Sequence, residues 1–203
     1  MQMVEINQRV SYLPATENPI SSDVVMVKIL DSTVFFDVGC NKVSAELING
    51  ISGRKIAVLS HFHPDHIANL LRCRFDSVYC GANTAKYLKF QKSPVVVVKE
   101  KFSLFDGLKI LPVPSSHAKG SLAMCVDGIC FLGDAAYPGY KLGKKYHNAN
   151  FLRSLVDFLK MIDSEEVFYS HEKNPVKTKE VILGVLESIQ ANWREEKGLL
   201  FKK

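Results

Sequence analysis

The segment His61-Phe62-His63-Pro64-Asp65-His66 constrains this chain more than any other stretch. It holds three of the chain's six histidines, with a carboxylate between them. The apolar run at residues 55–60 precedes it and reads as a strand. Residues 67–71 follow and read as the first turns of a helix. The cluster therefore falls on a strand-to-helix loop, where short polar side chains can converge. Imidazole and carboxylate are the ligand types that divalent metals such as zinc prefer. Pro64 stiffens the loop and reduces the entropy lost when ligands gather. Side chains alternate in an extended segment, so His61 and His63 point the same way and can hold one metal. Asp65 and His66, at the turn into the helix, can reach a second position nearby.

The rest of the chain reads as strands followed by alternating helices and strands. Residues 4–10 alternate like a half-buried strand, and residues 11–22, with Pro14 and Pro19, read as a loop. Residues 23–30 and 33–38 form two further strands around Asp31-Ser32. A helix is expected over 42–51, a strand over 77–80 and a helix from its cap Asn83 to residue 90, with a buried strand over 94–98. Residues 108–113 are a strand, and 122–126 pairs with 129–132 in a hairpin around Asp127-Gly128. A helix over 149–162 carries Phe151, Leu152, Leu155, Phe158 and Leu159 on its apolar face. The strand 166–170 follows. The last helix spans 177–195, with Ile182, Val185, Leu186, Ile189 and Trp193 on one face.

With 203 residues the chain has the length of one domain, 1–203, built from two similar halves of roughly 1–113 and 114–203. No apolar run reaches the length of a membrane span, so no membrane partner is expected. The start, from Met1 to Ile6, lacks the basic-then-apolar pattern of a secretory signal, and a cytoplasmic location is expected. The five cysteines include no C-x-x-C, so neither a disulfide framework nor a structural zinc site is indicated. The hairpin turn would set Cys125 opposite Cys130; buried free thiols are the favoured reading there. A net charge of +5 suits an anionic substrate or RNA without deciding between them.

His61-Phe62-His63-Pro64-Asp65-His66 resembles the H-x-H-x-D-H signature of the metallo-β-lactamase-fold superfamily. The resemblance implies an α/β fold, the four-layer αβ/βα sandwich of two mixed sheets flanked by helices, with the site at their seam. It extends to three residues at strand ends: His117, Asp134 and His171. His61, His63 and His117 resemble the ligands of a first metal. Asp65, His66 and His171 resemble those of a second, and Asp134 matches the position that bridges the two. Asp37, in Asp37-Val38-Gly39, matches a residue that supports the site from behind; a plain strand-end turn is the competing reading. The sixth histidine, His147, matches no ligand position; it is expected on the surface, with lining of the substrate pocket as the competing reading.

Asp134 stands where the common zinc β-lactamases place cysteine, and the resemblance is to the glyoxalase II-like subgroup. That enzyme's extra C-terminal substrate domain is not expected here, so the resemblance does not carry its specific glutathione thioester over. The implied activity is a dinuclear metal-dependent hydrolase using a metal-bridging hydroxide on a small ester, thioester or lactone. Its cofactors would be two divalent ions, zinc foremost, with iron or manganese as alternatives. Asp65 would orient the nucleophile or move a proton. The competing readings are a phosphodiesterase or RNA nuclease on the same fold, and a mononuclear iron oxidoreductase resembling the persulfide dioxygenases. A small-molecule substrate is expected ahead of nucleic acid; oligomeric state is left open. The stretch from Tyr137 to His147 is expected over the metal mouth, where Tyr137, Lys141, Lys144 and Lys145 are candidate substrate contacts; a solvated surface loop is the competing reading.

Overall fold

The computed structural model describes residues 2–141 and 143–202. Two large sheets face one another. The first has seven strands in the order Val4–Glu5, Val10–Leu13, Val24–Ile29, Ser32–Phe36, Arg54–Val58, Ser77–Cys80 and Val95–Val97. The second has six: Phe102–Phe105, Leu108–Val113, Ser121–Val126, Ile129–Phe131, Glu166–Phe168 and Val176–Thr178. The change of sheet falls between residues 97 and 102, earlier than the 113/114 division read from the sequence.

The central strands are apolar on both faces because both faces are covered. Val34 and Phe36 point into the space between the sheets, and Phe35 points outward. Ile56 and Val58 likewise face inward and Ala57 outward. In the second sheet Leu122, Met124 and Val126 face inward, and Ala123 and Cys125 outward. The inner layer is knit by aromatic contacts: Tyr12 on Phe168 at 5.1 Å and Phe131 on Phe168 at 5.3 Å. The outer face of the first sheet is closed by the helix Lys42–Gly50 and by short turns. The helices Ala149–Met161 and Lys179–Asn192 close the second. The result is the expected four-layer αβ/βα sandwich.

Strand direction places the site. Ser32–Phe36, Arg54–Val58 and Ser77–Cys80 run parallel, so they release the chain at one edge. Asp37 and His61 follow two of these ends. In the second sheet Ile129–Phe131 runs parallel to Glu166–Phe168, and Asp134 and His171 follow those ends. Side chains at the carboxyl ends of neighbouring parallel strands converge in the crevice beyond them. A hydrogen bond from Leu122 N–H to the Ser60 carbonyl, 2.8 Å, ties the two edges together.

Several elements differ from the sequence reading. The first strand is only Val4–Glu5, and residues 11–22 are not a plain loop: Val10–Leu13 is a strand, and Thr16–Glu17 pairs with Ile20–Ser21 in a small hairpin. Residues 67–71 do not form regular α-helix; the helix Pro64–Ile67 passes into a tighter 3₁₀ turn, Ala68–Leu71. The helix expected after Asn83 is a single 3₁₀ turn, Thr84–Tyr87, and the Asn83 side chain makes no cap bond. Val95–Val97 is a half-exposed edge strand, so β-branched content alone did not mark burial there. The final helix stops at Asn192, and Arg194–Glu196 and Leu199–Phe201 form a hairpin around Lys197-Gly198. This hairpin pairs with a second one, Gly139–Lys141 and Lys144–Asn148, in a four-stranded sheet. Phe151 is exposed on its helix, and Val185 on the last one. Cys125 does sit opposite Cys130, Cα to Cα 4.1 Å, but the two are joined as a disulfide where free thiols were favoured. Among the described residues no helix is long and apolar enough to cross a membrane.

Candidate metal centre

The histidine loop is rigid for local reasons. His63 is the N-cap of the short helix Pro64–Ile67, and Pro64 occupies its first turn, where a missing N–H costs nothing. The loop backbone is pinned on both sides. The Asp65 carbonyl accepts from Ser22 N–H at 3.0 Å, and the His66 carbonyl accepts from Val38 N–H at 2.9 Å. His61 and His66 are buried, while His63 and Asp65 are half-buried at the mouth.

The structure brings all seven expected ligands together. Their ligand atoms form three groups: His61, His63 and His117; His61, His66 and Asp134; and Asp65, His66 and His171. Within each group the atoms lie within 4.8 Å of one another. The first and third groups are the two sets anticipated from the sequence. Asp134 reaches both. Its Oδ2 is 3.4 Å from His117 Nε2 and 3.4 Å from His66 Nε2, and its Oδ1 is 3.7 Å from His171 Nε2. Asp65 Oδ2 lies 3.2 Å from His171 Nε2 and 3.4 Å from His66 Nε2.

A set of hydrogen bonds behind the cluster fixes which nitrogen of each ring faces it. Asp37 accepts from Ser60 N–H at 2.8 Å, from the Ser60 hydroxyl at 2.7 Å and from His66 Nδ1 at 2.7 Å. The Ser60 oxygen, having donated to Asp37, accepts from His61 Nδ1 at 2.9 Å. His117 Nδ1 donates to the Pro138 carbonyl at 3.1 Å. In His61, His66 and His117 the outer Nδ1 is engaged and Nε2 is turned inward, the arrangement by which outer hydrogen bonds orient histidine ligands. Asp37 is thus more than a strand-end turn: it is fully buried at a positive φ of 59° and organises three groups. Gly133 allows this packing, because a Cβ there would meet Ser60 Cβ at 2.5 Å.

The residues present fit a cation. His61 Nε2 and Asp134 Oδ1 are buried with no hydrogen-bond partner, which is costly unless something else satisfies them. His63 Nδ1 faces His117 Nε2 at 3.0 Å, and His66 Nε2 faces His171 Nε2 at 3.3 Å, so nitrogens meet in pairs around common points. Burial and the neighbouring rings push His61 well below the usual histidine range, favouring the neutral, ligating form. Burial acts against ionisation of Asp134, yet the adjacent His66 holds it below the usual carboxylate range.

Asp23 is a site residue that the sequence reading passed over. It is buried, and its carboxylate accepts from His171 N–H at 2.9 Å and from Ala15 N–H at 3.0 Å. His171 itself sits at a positive φ of 64°, a conformation that a non-glycine residue adopts at a cost. Asp23 thereby anchors a ligand-bearing residue in a strained pose. The sequence held no signal for it beyond an acid at the start of an apolar strand.

The cluster opens into a cleft of about 990 Å³. His117, Asp134 and His171 lie on its floor. Tyr12, Pro14, Ala15 and Ile20 form one wall; Tyr137, Pro138, Tyr140 and Lys145 form the other. Of the candidate substrate contacts, Tyr137 and Lys145 line the cleft. Tyr137 stacks on Tyr169 at 4.4 Å, and its hydroxyl donates to the Ser170 carbonyl at 2.7 Å. Lys144 lines a separate groove, and Lys141 is exposed on the hairpin and lines neither. His147 is not on the surface: it is buried against Trp193, ring centroids 5.3 Å apart, with Nε2 unpartnered.

No family model matches the chain, and no curated protein matches it. Solved structures do. A metallo-β-lactamase from Hirschia baltica aligns with a TM-score of 0.68 at 14% identity, over 92% of this chain and 96% of that one. The DIM-1 metallo-β-lactamase aligns with a TM-score of 0.71 at 15% identity, over 94% and 96%. The metallo-β-lactamase FIM-1 from Pseudomonas aeruginosa, solved in a mono-zinc form, gives 0.66 at 16% identity, over 93% and 96%. At such identities the likeness establishes the fold, and the chain has the metallo-β-lactamase fold.

Proposed function

We propose that this chain, folded as a metallo-β-lactamase, is a metal-dependent hydrolase of a small anionic ester, thioester or lactone. The observation that carries the reading is the position of Asp134, within 3.4 Å of one nitrogen from each histidine set. His61, His63 and His117 would hold one divalent ion and Asp65, His66 and His171 a second, with Asp134 shared. Bound there, two such ions, zinc foremost, would lower the pKa of water toward neutrality and polarise the substrate oxygen.

The chain's own residues do the rest. Asp65 is half-buried at the mouth; burial opposes its ionisation, but the hydrogen bond to His171 together with the neighbouring His66 and His171 rings holds it below the usual carboxylate range, so it is ionised and placed to accept a proton from the attacking water. Asp37 and the Pro138 carbonyl hold the rings in one tautomer and so spare reorganisation during the reaction. The apolar walls exclude water from the acyl group, and Lys145 at the rim attracts the substrate's anionic end. The carboxylate at position 134 supports a two-metal site of the glyoxalase II style over the β-lactamase style.

The test is elemental analysis of protein purified without chelator, followed by an ester, thioester, lactone and bis-aryl phosphodiester panel. About two zinc or manganese per chain is expected, with carboxylic-ester hydrolysis abolished by chelation and restored by the metal. A single iron per chain with oxygen consumption, or cleavage of the phosphodiester alone, would overturn the proposal.

A further inference from the structure

Beside the cleft runs a second groove of about 750 Å³, lined by Lys144, Lys145, Arg194, Glu196, Phe201 and Lys202. Lys145 lines both, so the two spaces meet at one side chain. They differ in chemistry. Around the metal cluster Val4, Pro14, Ala15, Ile20 and Pro138 give apolar wall, and the charges of Glu17, Glu172 and Lys173, of both signs, also line the cleft. The groove has four cationic side chains and one carboxylate, and that carboxylate, Glu196, is paired with Arg194. Among the described residues no carboxylate lies within ion-pairing distance of Lys144, Lys145 or Lys202. The consecutive residues Lys144 and Lys145 leave their strand on opposite faces, yet both line the groove, which therefore wraps the end of the four-stranded sheet. Its one aromatic lining residue, Phe201, packs on Tyr146 with ring centroids 6.4 Å apart.

From this division of chemistry we infer that the groove is a phosphate-binding subsite, and that the substrate is an acyl ester or thioester whose alcohol or thiol half carries phosphate groups. The acyl half occupies the apolar cleft. The leaving half crosses Lys145 and sets its phosphates among Lys144, Lys145, Arg194 and Lys202. In the reaction, water adds to the acyl carbon, the C–S or C–O bond breaks, and the phosphorylated half departs with a proton as thiol or alcohol. Two features favour a small phosphorylated carrier over a nucleic-acid strand. Each space has the size of a small-molecule site. A continuous phosphate backbone would also run past Glu17 and Glu172 on the cleft rim. The inference rests on the hydrolase reading for the reaction, and not for the binding.

The experiment uses free coenzyme A as the probe of binding, by calorimetry, on the full chain with and without prior chelation. A Lys144→Glu/Lys202→Glu variant should weaken binding at least about tenfold, with its melting temperature unchanged, since both side chains are exposed. For hydrolysis, kcat/KM for butyryl-coenzyme A should fall by a similar factor, with that for the butyryl thioester of N-acetylcysteamine, which has no phosphate, unchanged. Equal binding of coenzyme A by both proteins would overturn the groove assignment, as would tighter binding of a twelve-nucleotide oligothymidylate than of coenzyme A. Lysine-dependent binding of coenzyme A with no hydrolysis of either thioester would support the groove and overturn the reaction.

Discussion

The histidine loop belongs to the cluster beneath the cleft, the hairpin Gly139–Asn148 lines the cleft itself, and the two are held in opposite ways. The loop is clamped by buried hydrogen bonds to Asp37, Ser22 and Val38, and its His61 and His66 rings are oriented from behind by Ser60 and Asp37. The hairpin is held by edge pairing to another hairpin, and its lysines are exposed. In the proposed hydrolase, the convergence of metal ligands would rest on the first and the attraction of an anionic ligand on the second. Substitutions at the floor should therefore act nearly all-or-none, and those at the wall should act by degrees.

The sharpest break of that contrast is Asp134→Ala. It removes the only carboxylate shared by both histidine sets among the described residues, and activity should fall by at least about 10²–10³-fold with loss of bound metal. Full metal content in this variant would end the bridging role. Asp37→Asn comes next. Asparagine tolerates the positive φ but cannot accept from all three donors, so metal affinity should fall by about 10–100-fold while circular dichroism stays native. An unchanged metal titration would show that the outer hydrogen bonds do not orient the rings.

Asp23→Asn should weaken the hold on His171. A loss of about 1–3 kcal/mol in stability is expected, with a lower kcat at little change in KM. A change in KM alone would place Asp23 in substrate binding instead.

His147 tests the wall from the inside. Burial lowers its pKa to about 4, against about 6.5 in an unfolded chain. The folded state therefore resists a proton that the unfolded state accepts. The stability this gives is complete above about pH 6.5 and is lost as pH falls toward 4, by roughly 3 kcal/mol at most. His147→Leu should flatten that part of the wild-type stability profile in urea titrations from pH 7 to pH 4. A slope identical to wild type would mean that the ring is solvated.

Lys145→Ala should have the smallest effect: a rise in KM of about 3–10-fold for an anionic substrate that fades at high salt, with a neutral substrate unaffected. A large fall in kcat would erase the distinction between floor and wall.

The floor was readable in the sequence because its chemistry is compressed into six residues flanked by a strand and a helix turn, and because Asp134 and His171 each end a run of strand-like residues and His117 lies in a small-residue loop between two strands. The wall was not. Residues 177–195 continue a helical pattern, yet Arg194 to Phe201 leave it to pair with the hairpin strand Lys144–Asn148, a partner about fifty residues away along the chain. Nothing local distinguishes Lys145, which lines the cleft, from Lys144, which does not. The burial of His147 against Trp193 is likewise a long-range outcome; its expected surface placement followed only from its matching no ligand position.

The sequence by itself set out the candidate ligand residues and the strands that present them, and the family resemblance divided those residues into two sets. These are local properties, set by side-chain type and by the two-residue period of an extended chain. Only the tertiary structure decided that Asp134 lies between the two sets, that Asp23 holds His171, and that a basic groove joins an apolar cleft at one lysine. Each depends on where the ends of non-adjacent strands meet. That is fixed by the packing of Tyr12, Phe36, Phe131 and Phe168 between the sheets, a long-range condition that no stretch of sequence carries alone.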